Sequence, residues 1–310
     1  RPIEDWLADN GTDSRLRVRL ATARQIRSFA VKELALPDNG SYKNYAKLAR
    51  PYVLWNIVAT PELSLRPLQW CFPVAGCVSY RGYYSKDEAQ AYAQELRAGG
   101  NDVSVGGVPA YSTLGWFNDP LISTFIHYPD AELARLIFHE LSHQVIYVPG
   151  DSQFNESFAS AVEEAGVERW LNGFGNDAMR QNYAKFAARK QEFLKLLLDY
   201  RRALEDNYAS KEPPAAKRAL KLRLFARLKD DYLVLKASWG GFAGYDRFFA
   251  EPLSNAHLAS IATYTDFVPA FRALLAREKT FAGFYASARK LAALDKAERH
   301  RRLKALATPA

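Results

Sequence analysis

The chain has 310 residues, 48 % of them hydrophobic and 25 % charged, a composition that supports a sizeable core and excludes a disordered chain. Its longest uncharged run, residues 103–118, holds two adjacent glycines and a proline, so it is not a membrane-spanning helix of about 20 apolar residues. Forty-two Lys and Arg against 34 Asp and Glu give a net charge of +8, but charge alone does not make a nucleic-acid partner, which needs basic and aromatic residues ordered on one surface.

Residues 15–36 carry Leu16, Leu20, Ala23, Ile26, Phe29, Ala30 and Leu34 at helical spacing and stop at the turn signal Pro37-Asp38-Asn39-Gly40. A second helix is predicted over 42–49 and a β-branched, aromatic strand over 52–58. Cys71 and Cys77, with Pro73 and Gly76 between them, suit a small disulfide loop in an oxidising compartment, the alternative being two reduced thiols packed as small hydrophobes. A strand is expected over 77–84, then a helix over 86–98 with Ser85 as N-cap, Glu88 completing a capping box and Gly99-Gly100 closing it. Extended structure resumes at 103–105 and again at 111–117. Strands and helices alternate in this half.

From Asp130 onward the pattern is helical. Helices are predicted over 131–147 with Asp130 as N-cap, then 155–170, 179–208, 215–235, 257–263, 268–277 and 281–305. The expected architecture is α+β, with a mixed part over 1–129, a helix pair over 130–172 and a helical part over 173–310. Charge is uneven. Residues 185–229 hold 13 bases and 5 acids, whereas 130–168 hold eight acids and only Arg135 as a base. The basic helices are read as solvated faces, and the acidic stretch needs its own explanation.

Residues 139–143 read His-Glu-Leu-Ser-His. On a helix, positions i and i+4 share one face, so both imidazoles can point at one metal ion. Glu140 then stands beside the first ligand, within reach of water on the metal. The alternative is two buried histidines beside a glutamate, which costs several kcal/mol unless all are paired. A hydrolytic zinc site needs a third protein ligand and an open position. Glu156 and Glu163 are the two candidates, with 12 and 19 residues between them and His143. Residues 148–154 can span roughly 20 Å, enough to return to the metal with Glu156 in the first turn of the next helix. Ser160 and Glu163 lie on the same stripe, and Glu163 is placed to accept the other N–H of a ligand histidine.

The run His139-Glu140-Leu141-Ser142-His143 followed by Asn155-Glu156-Ser157-Phe158-Ala159 resembles the gluzincin metallopeptidases, in which a helix opening with Asn-Glu delivers the third zinc ligand. More closely, the chain is similar to the predicted zinc aminopeptidases of Gram-negative bacteria, often described as lipoproteins. That likeness is carried by residues 71–83, 106–117, the zinc motif and 255–271. It implies a gluzincin-like fold and one zinc ion. It also implies a periplasmic or membrane-anchored protein, held through a lipid upstream of Arg1. The chain starts at Arg1 and its single Met is Met179, so the natural start is expected upstream, with room there for a signal peptide or lipid-attachment cysteine. The spacing to Glu156 is shorter than the 18 or 19 residues usual in gluzincins, a count that Glu163 fits better, while the Asn-Glu context favours Glu156.

The expectation is therefore zinc-dependent peptide-bond hydrolysis, as an aminopeptidase of small peptides. Glu140 would be the general base, with a phenol or imidazole from the helical part facing the oxyanion, Tyr264 first and His257 second. Residues 106–117, with Gly107, Tyr111 and Ser112, are expected to form an edge strand that pairs with the peptide backbone. The alternative is a buried hairpin in which Tyr111, Trp116 and Phe117 are packing residues. The other function class is a non-catalytic, zinc-stabilised envelope protein whose basic helices bind anionic lipid or polymer.

Overall fold

Asp13 accepts the Leu16 N–H and starts α2 (Ser14–Leu34), the first long helix of a computed structural model that describes residues 1–73, 76–259, 261 and 266–307. It follows the short α1 (Ile3–Ala8). The elements after it are β1 (Tyr45–Ala46), β2 (Leu54–Pro61), β3 (Trp70–Phe72), β4 (Gly76–Val78), β5 (Arg81–Tyr83), α3 (Lys86–Ala98), β6 (Asn101–Val108) and β7 (Leu121–Ile122). The helical part runs through α4 (Asp130–Ser142), α5 (Ser152–Phe174), α6 (Asp177–Ala209), α7 (Pro214–Ser238), α8 (Asn255–Ala259), α9 (Val268–Glu278), α10 (Phe281–Ala292) and α11 (Lys296–Ala307). The fold is mixed α and β, dominated by helix. Among the described residues, no helix is long and apolar enough to cross a membrane.

The chain divides into two compact units, each discontinuous in sequence: residues 1–54, 107–180 and 264–310 form one, and 55–106 with 181–263 form the other. These divisions fall elsewhere than at the three consecutive segments read from the pattern. In the first unit, α5 packs on α4, α2 and α9. Phe138, Phe154, Phe158, Phe271 and Phe284 are buried, with Phe154 and Phe271 ring centroids 5.2 Å apart and Phe158 and Phe284 5.5 Å apart. Gly166 is required where α5 passes α2 and α4: a Cβ there would stand 2.8 Å from Leu34 Cδ1 and 2.9 Å from Phe138 Cδ2.

In the second unit, the sheet order is β5-β2-β6, with β2 and β5 antiparallel and β6 at an edge. Its helical core joins Phe193, Leu197 and Leu204 of α6 to Phe225, Leu228 and Tyr232 of α7. Phe193 stacks on Tyr245 at 4.0 Å, and Tyr232 on Phe249 at 4.2 Å. Cys71 and Cys77 face each other across β3 and β4 and are disulfide-bonded.

Several elements differ from the pattern reading, each for a local reason. No helix forms at 42–49. Arg27 ties down the carbonyls of Pro37 and Ser41, Tyr42 takes a left-handed φ of 62°, and β1 follows, parallel to β7. The strand expected over 77–84 is split, because β4 pairs with β3 across the disulfide while β5 pairs with β2. The extended run expected at 111–117 is a turn, with positive φ at Leu114 and Gly115. Helix α4 ends at Ser142 rather than near 147, since the Gln144 and Val145 N–H groups close a turn on Leu141 and Ser142. Asp130 lies inside its first turn, paired with Arg19, and Pro129 takes the cap position. The helix expected over 281–305 is two helices, because Asp295 accepts the Glu298 N–H and restarts the chain as α11.

Candidate metal centre

Helix α4 presents His139 and His143 one turn apart, and α5 returns alongside it. The chain can return this soon because Asp151, buried, accepts the Phe154 N–H and caps α5. Asn155 fastens the connection from the other side: its amide exchanges hydrogen bonds with the Val148 N–H and carbonyl at 2.8 and 2.9 Å. Glu156 therefore sits one turn into α5, later than the first-turn position expected, and its carboxylate reaches both imidazoles. His139 Nε2 is 3.2 Å from His143 Nε2 and 3.2 Å from Glu156 Oε2, and His143 Nε2 is 3.8 Å from Glu156 Oε1. One atom from each of these three residues lies within 4.8 Å of the others.

Those separations fit a divalent ion. Ligand atoms about 2.0–2.1 Å from a tetrahedral zinc stand about 3.3 Å from one another. Without a cation, a protonated His139 can donate from Nε2 to the lone pair of His143 Nε2 at 3.2 Å, and a divalent ion would take the place of that proton between the two rings. The buried His143 Nδ1 finds no hydrogen-bond partner among the described residues, so that ring is held by packing and by what meets its Nε2.

The electrostatics point the same way. Burial alone would lower the pKa of His139, but hydrogen bonds to Glu156 and Glu163 and their charges outweigh it and push it up to about 10. The cage therefore holds a positive charge where a metal would otherwise sit. Burial takes His143 down to about 4, offset only in part by Glu156, so this ring is neutral at neutral pH and free to ligate. Burial also raises Glu140, to about 7, with His139 opposing the rise and the charges of Glu156, Asp119 and Glu163 adding to it. Burial works to raise Glu156, yet His143 and His139 win and hold its carboxyl below the ordinary value.

Glu163 does not join the ligand cluster. Its Oε2 meets the other nitrogen of His139, Nδ1, at 2.8 Å, and Arg135 Nη1 meets both its oxygens at 3.2 and 3.3 Å. Arg135 also donates through Nε to Glu132 at 2.9 Å. Between Glu156 and Glu163 on α5, Ser160 is buried. Arg135 is the residue the pattern reading passed over. Its signal was available: the lone base among eight acids stands four residues before His139, on the same stripe of the helix. The acidic stretch is accounted for by partners of this kind, since Asp130 pairs with Arg19, Asp151 with Arg299 and His300, and Glu164 and Glu168 with Arg272. Tyr147 was also missed, and burial together with the nearby charge of Glu156 raises its phenol.

The remaining expected site residues lie as follows. Tyr264 falls outside the described residues. His257 belongs to the second unit, where its Nδ1 accepts the Ser254 N–H at 3.0 Å and its ring meets Phe248 edge-on. Gly107 is the penultimate residue of β6, where a Cβ would meet the Tyr52 ring at 2.3 Å, so this glycine serves close packing. Ser112 Oγ accepts the Leu114 N–H, and Tyr111 is partly exposed.

A family model described as "Putative aminopeptidase" matches residues 1–303. No curated protein and no solved structure matches the chain.

Proposed function

The chain belongs to the family described as "Putative aminopeptidase", and from that premise we propose that it is a zinc-dependent metallopeptidase of gluzincin type, acting on small peptides. The observation that carries this reading is the convergence of His139 Nε2, His143 Nε2 and the Glu156 carboxylate within 4.8 Å, beside Glu140. His139, His143 and Glu156 would hold one zinc ion. Bound there, zinc lowers the pKa of water and polarises a carbonyl oxygen.

The rest is done by the chain's own side chains. Glu140, its pKa raised to about 7, is poised to take a proton from the attacking water and return it to the leaving amine. Arg135 and Glu163 fix the His139 ring so that Nε2, not Nδ1, faces the centre. The disulfide fits a periplasmic setting, where such bonds persist.

The test is elemental analysis of the purified chain, followed by cleavage of a short-peptide library with and without chelator. The expected result is about one zinc per chain and hydrolysis that chelator abolishes and added zinc restores. Hydrolysis indifferent to chelator would remove the metal from the reading. Peptides with blocked and free amino termini then separate an aminopeptidase from an endopeptidase.

A further inference from the structure

Residues 109–120 join β6 to β7 and carry three aromatic side chains. Two of these are left in solvent: Trp116 is 72 % exposed and Phe117 74 %. Rings of this size ordinarily gain stability by burial, and two adjacent ones in water mark a surface that something covers.

The loop that presents them is braced. The Thr113 N–H donates to the Asp119 carboxylate at 3.1 Å. Thr113 Oγ1 accepts the Phe117 N–H at 3.2 Å and donates to the Phe117 carbonyl at 3.1 Å. The Trp116 N–H reaches the Thr113 carbonyl at 3.0 Å. Leu114 and Gly115, at φ 58° and 82°, supply the left-handed backbone that turns the chain between them. Asp119, buried, donates its N–H to Ser41 Oγ and accepts the Tyr42 N–H on its carbonyl.

The brace ends in the turn that closes the histidine helix. Gln144 Nε2 donates to Asp119 Oδ2 at 3.3 Å and to Ser41 Oγ at 3.1 Å, while Asn39 Nδ2 donates to Gln144 Oε1 at 2.7 Å. A Cβ at Gly115 would touch the Gln144 side chain at 3.9 Å. Gln144 directly follows His143 in the turn that closes α4, so the aromatic loop is fastened beside the second histidine.

We propose that Trp116 and Phe117 form an apolar platform for a substrate side chain, so that the preferred peptides carry a bulky aliphatic or aromatic residue close to the scissile bond. The proposal rests on the peptidase reading and deepens it. A braced platform loses little conformational freedom on binding, which suits it to selecting a side chain. Residues 109–120 contain no Lys or Arg, so the loop lacks the basic fringe with which an aromatic wedge grips anionic lipid.

The experiment uses the full chain loaded with zinc and carrying Glu140→Gln, so that peptides bind without turnover. An Ala hexapeptide and its six single-Phe versions are titrated into it by calorimetry, with Trp116 and Phe117 intact or both replaced by Ala. With the rings intact, at least one Phe version is expected to bind about tenfold tighter than the Ala peptide; without them the ratio falls to about two or below. Trp116→Phe is expected to keep the preference. A preference that survives the double substitution, or an affinity lost equally for every peptide, overturns the proposal. If the native chain cleaves peptides yet shows no ring-dependent preference, the platform alone falls. If it holds zinc but neither cleaves nor binds any peptide, the peptidase reading falls and takes the platform with it. Flotation with phosphatidylglycerol vesicles that the same substitutions abolish, with peptide preference intact, assigns the rings to a membrane instead.

Discussion

Oε2 of Glu163 lies 2.8 Å from Nδ1 of His139. A carboxylate can only accept there, so Nδ1 is the donor and Nε2 is the atom turned to the centre. The contact is itself supported from behind, where Arg135 spans Glu163 and Glu132. Two carboxylates thus do different work: Glu156 faces Nε2 of both histidines, and Glu163 orients the His139 ring.

That division predicts different losses. Glu156→Ala should abolish tight zinc binding, because it deletes a charged ligand. Glu163→Ala should leave the ligand set whole and weaken zinc by about 10- to 100-fold, the usual effect of removing an orienting partner. Competition against a chelator of known affinity measures both. Equal losses would mean that the two glutamates share one role.

Arg135 gives a related prediction. Glu163 holds the Arg135 guanidinium more basic than usual, and the carboxylate is itself buried. Arg135→Met should lower stability by about 3 kcal/mol, since it removes the guanidinium from that buried charge and leaves only His139 against it. It should also weaken zinc, by no more than Glu163→Ala does, because it acts through Glu163. Arg135→Lys, which keeps the charge but not the two-pronged contact, should fall between. Denaturant titrations with and without zinc separate the two effects.

Glu140→Gln should retain about one zinc per chain and lose turnover by about 10²- to 10⁴-fold, the usual worth of a positioned general base. Metal content and peptide hydrolysis are read on the same sample. Retained turnover with bound zinc would take Glu140 out of the reaction.

The parts of this site that were legible in the sequence are those that local spacing fixes. The i, i+4 histidines needed only a helix, and Asn155-Glu156 needed only a second helix soon after. What the pattern could not give is where each helix begins and ends. The end of α4 at Ser142 depends on a turn closed by Gln144 and Val145, and Gln144 owes its place to Asn39, Ser41 and Asp119, all distant in sequence. The choice between Glu156 and Glu163 likewise depends on Asp151 starting α5 one turn early. The loop at 111–117 misled for the opposite reason. Its residues are apolar and suit a strand, but Asp119 and positive φ at Leu114 and Gly115 override that local preference.

The disulfide offers a test in the second unit. Cys71 and Cys77 are six residues apart in sequence, so their bond closes a short loop whose loss should lower stability by about 2 kcal/mol. Cys71→Ser with Cys77→Ser should lower the melting temperature and make it insensitive to reductant. Zinc affinity should not change, because every proposed ligand lies in the first unit.

The last prediction concerns the anchor of α5. Asp151 is almost fully buried, paired with Arg299, 2.9 Å from His300 Nε2 and bonded to the Phe154 N–H. Burial pushes its carboxyl up, but His300, Arg299 and that N–H together hold it below the ordinary value. In the unfolded chain an aspartate titrates at about 3.9. The unfolded state therefore binds the proton first as pH falls, and the stability that Asp151 contributes is fully present above about pH 5 and drains away as pH drops through the lower folded value. Asp151→Asn isolates the charge, because asparagine caps a helix nearly as well. At pH 7 the variant should be less stable by about 3 kcal/mol, since Arg299 stays buried without its anion. As pH falls from 5 towards 2, the gap between native and variant should narrow, other carboxylates contributing equally to both. Denaturant unfolding across that range measures it, and a gap that stayed constant would show that the Asp151 charge is not what holds α11 to the start of α5.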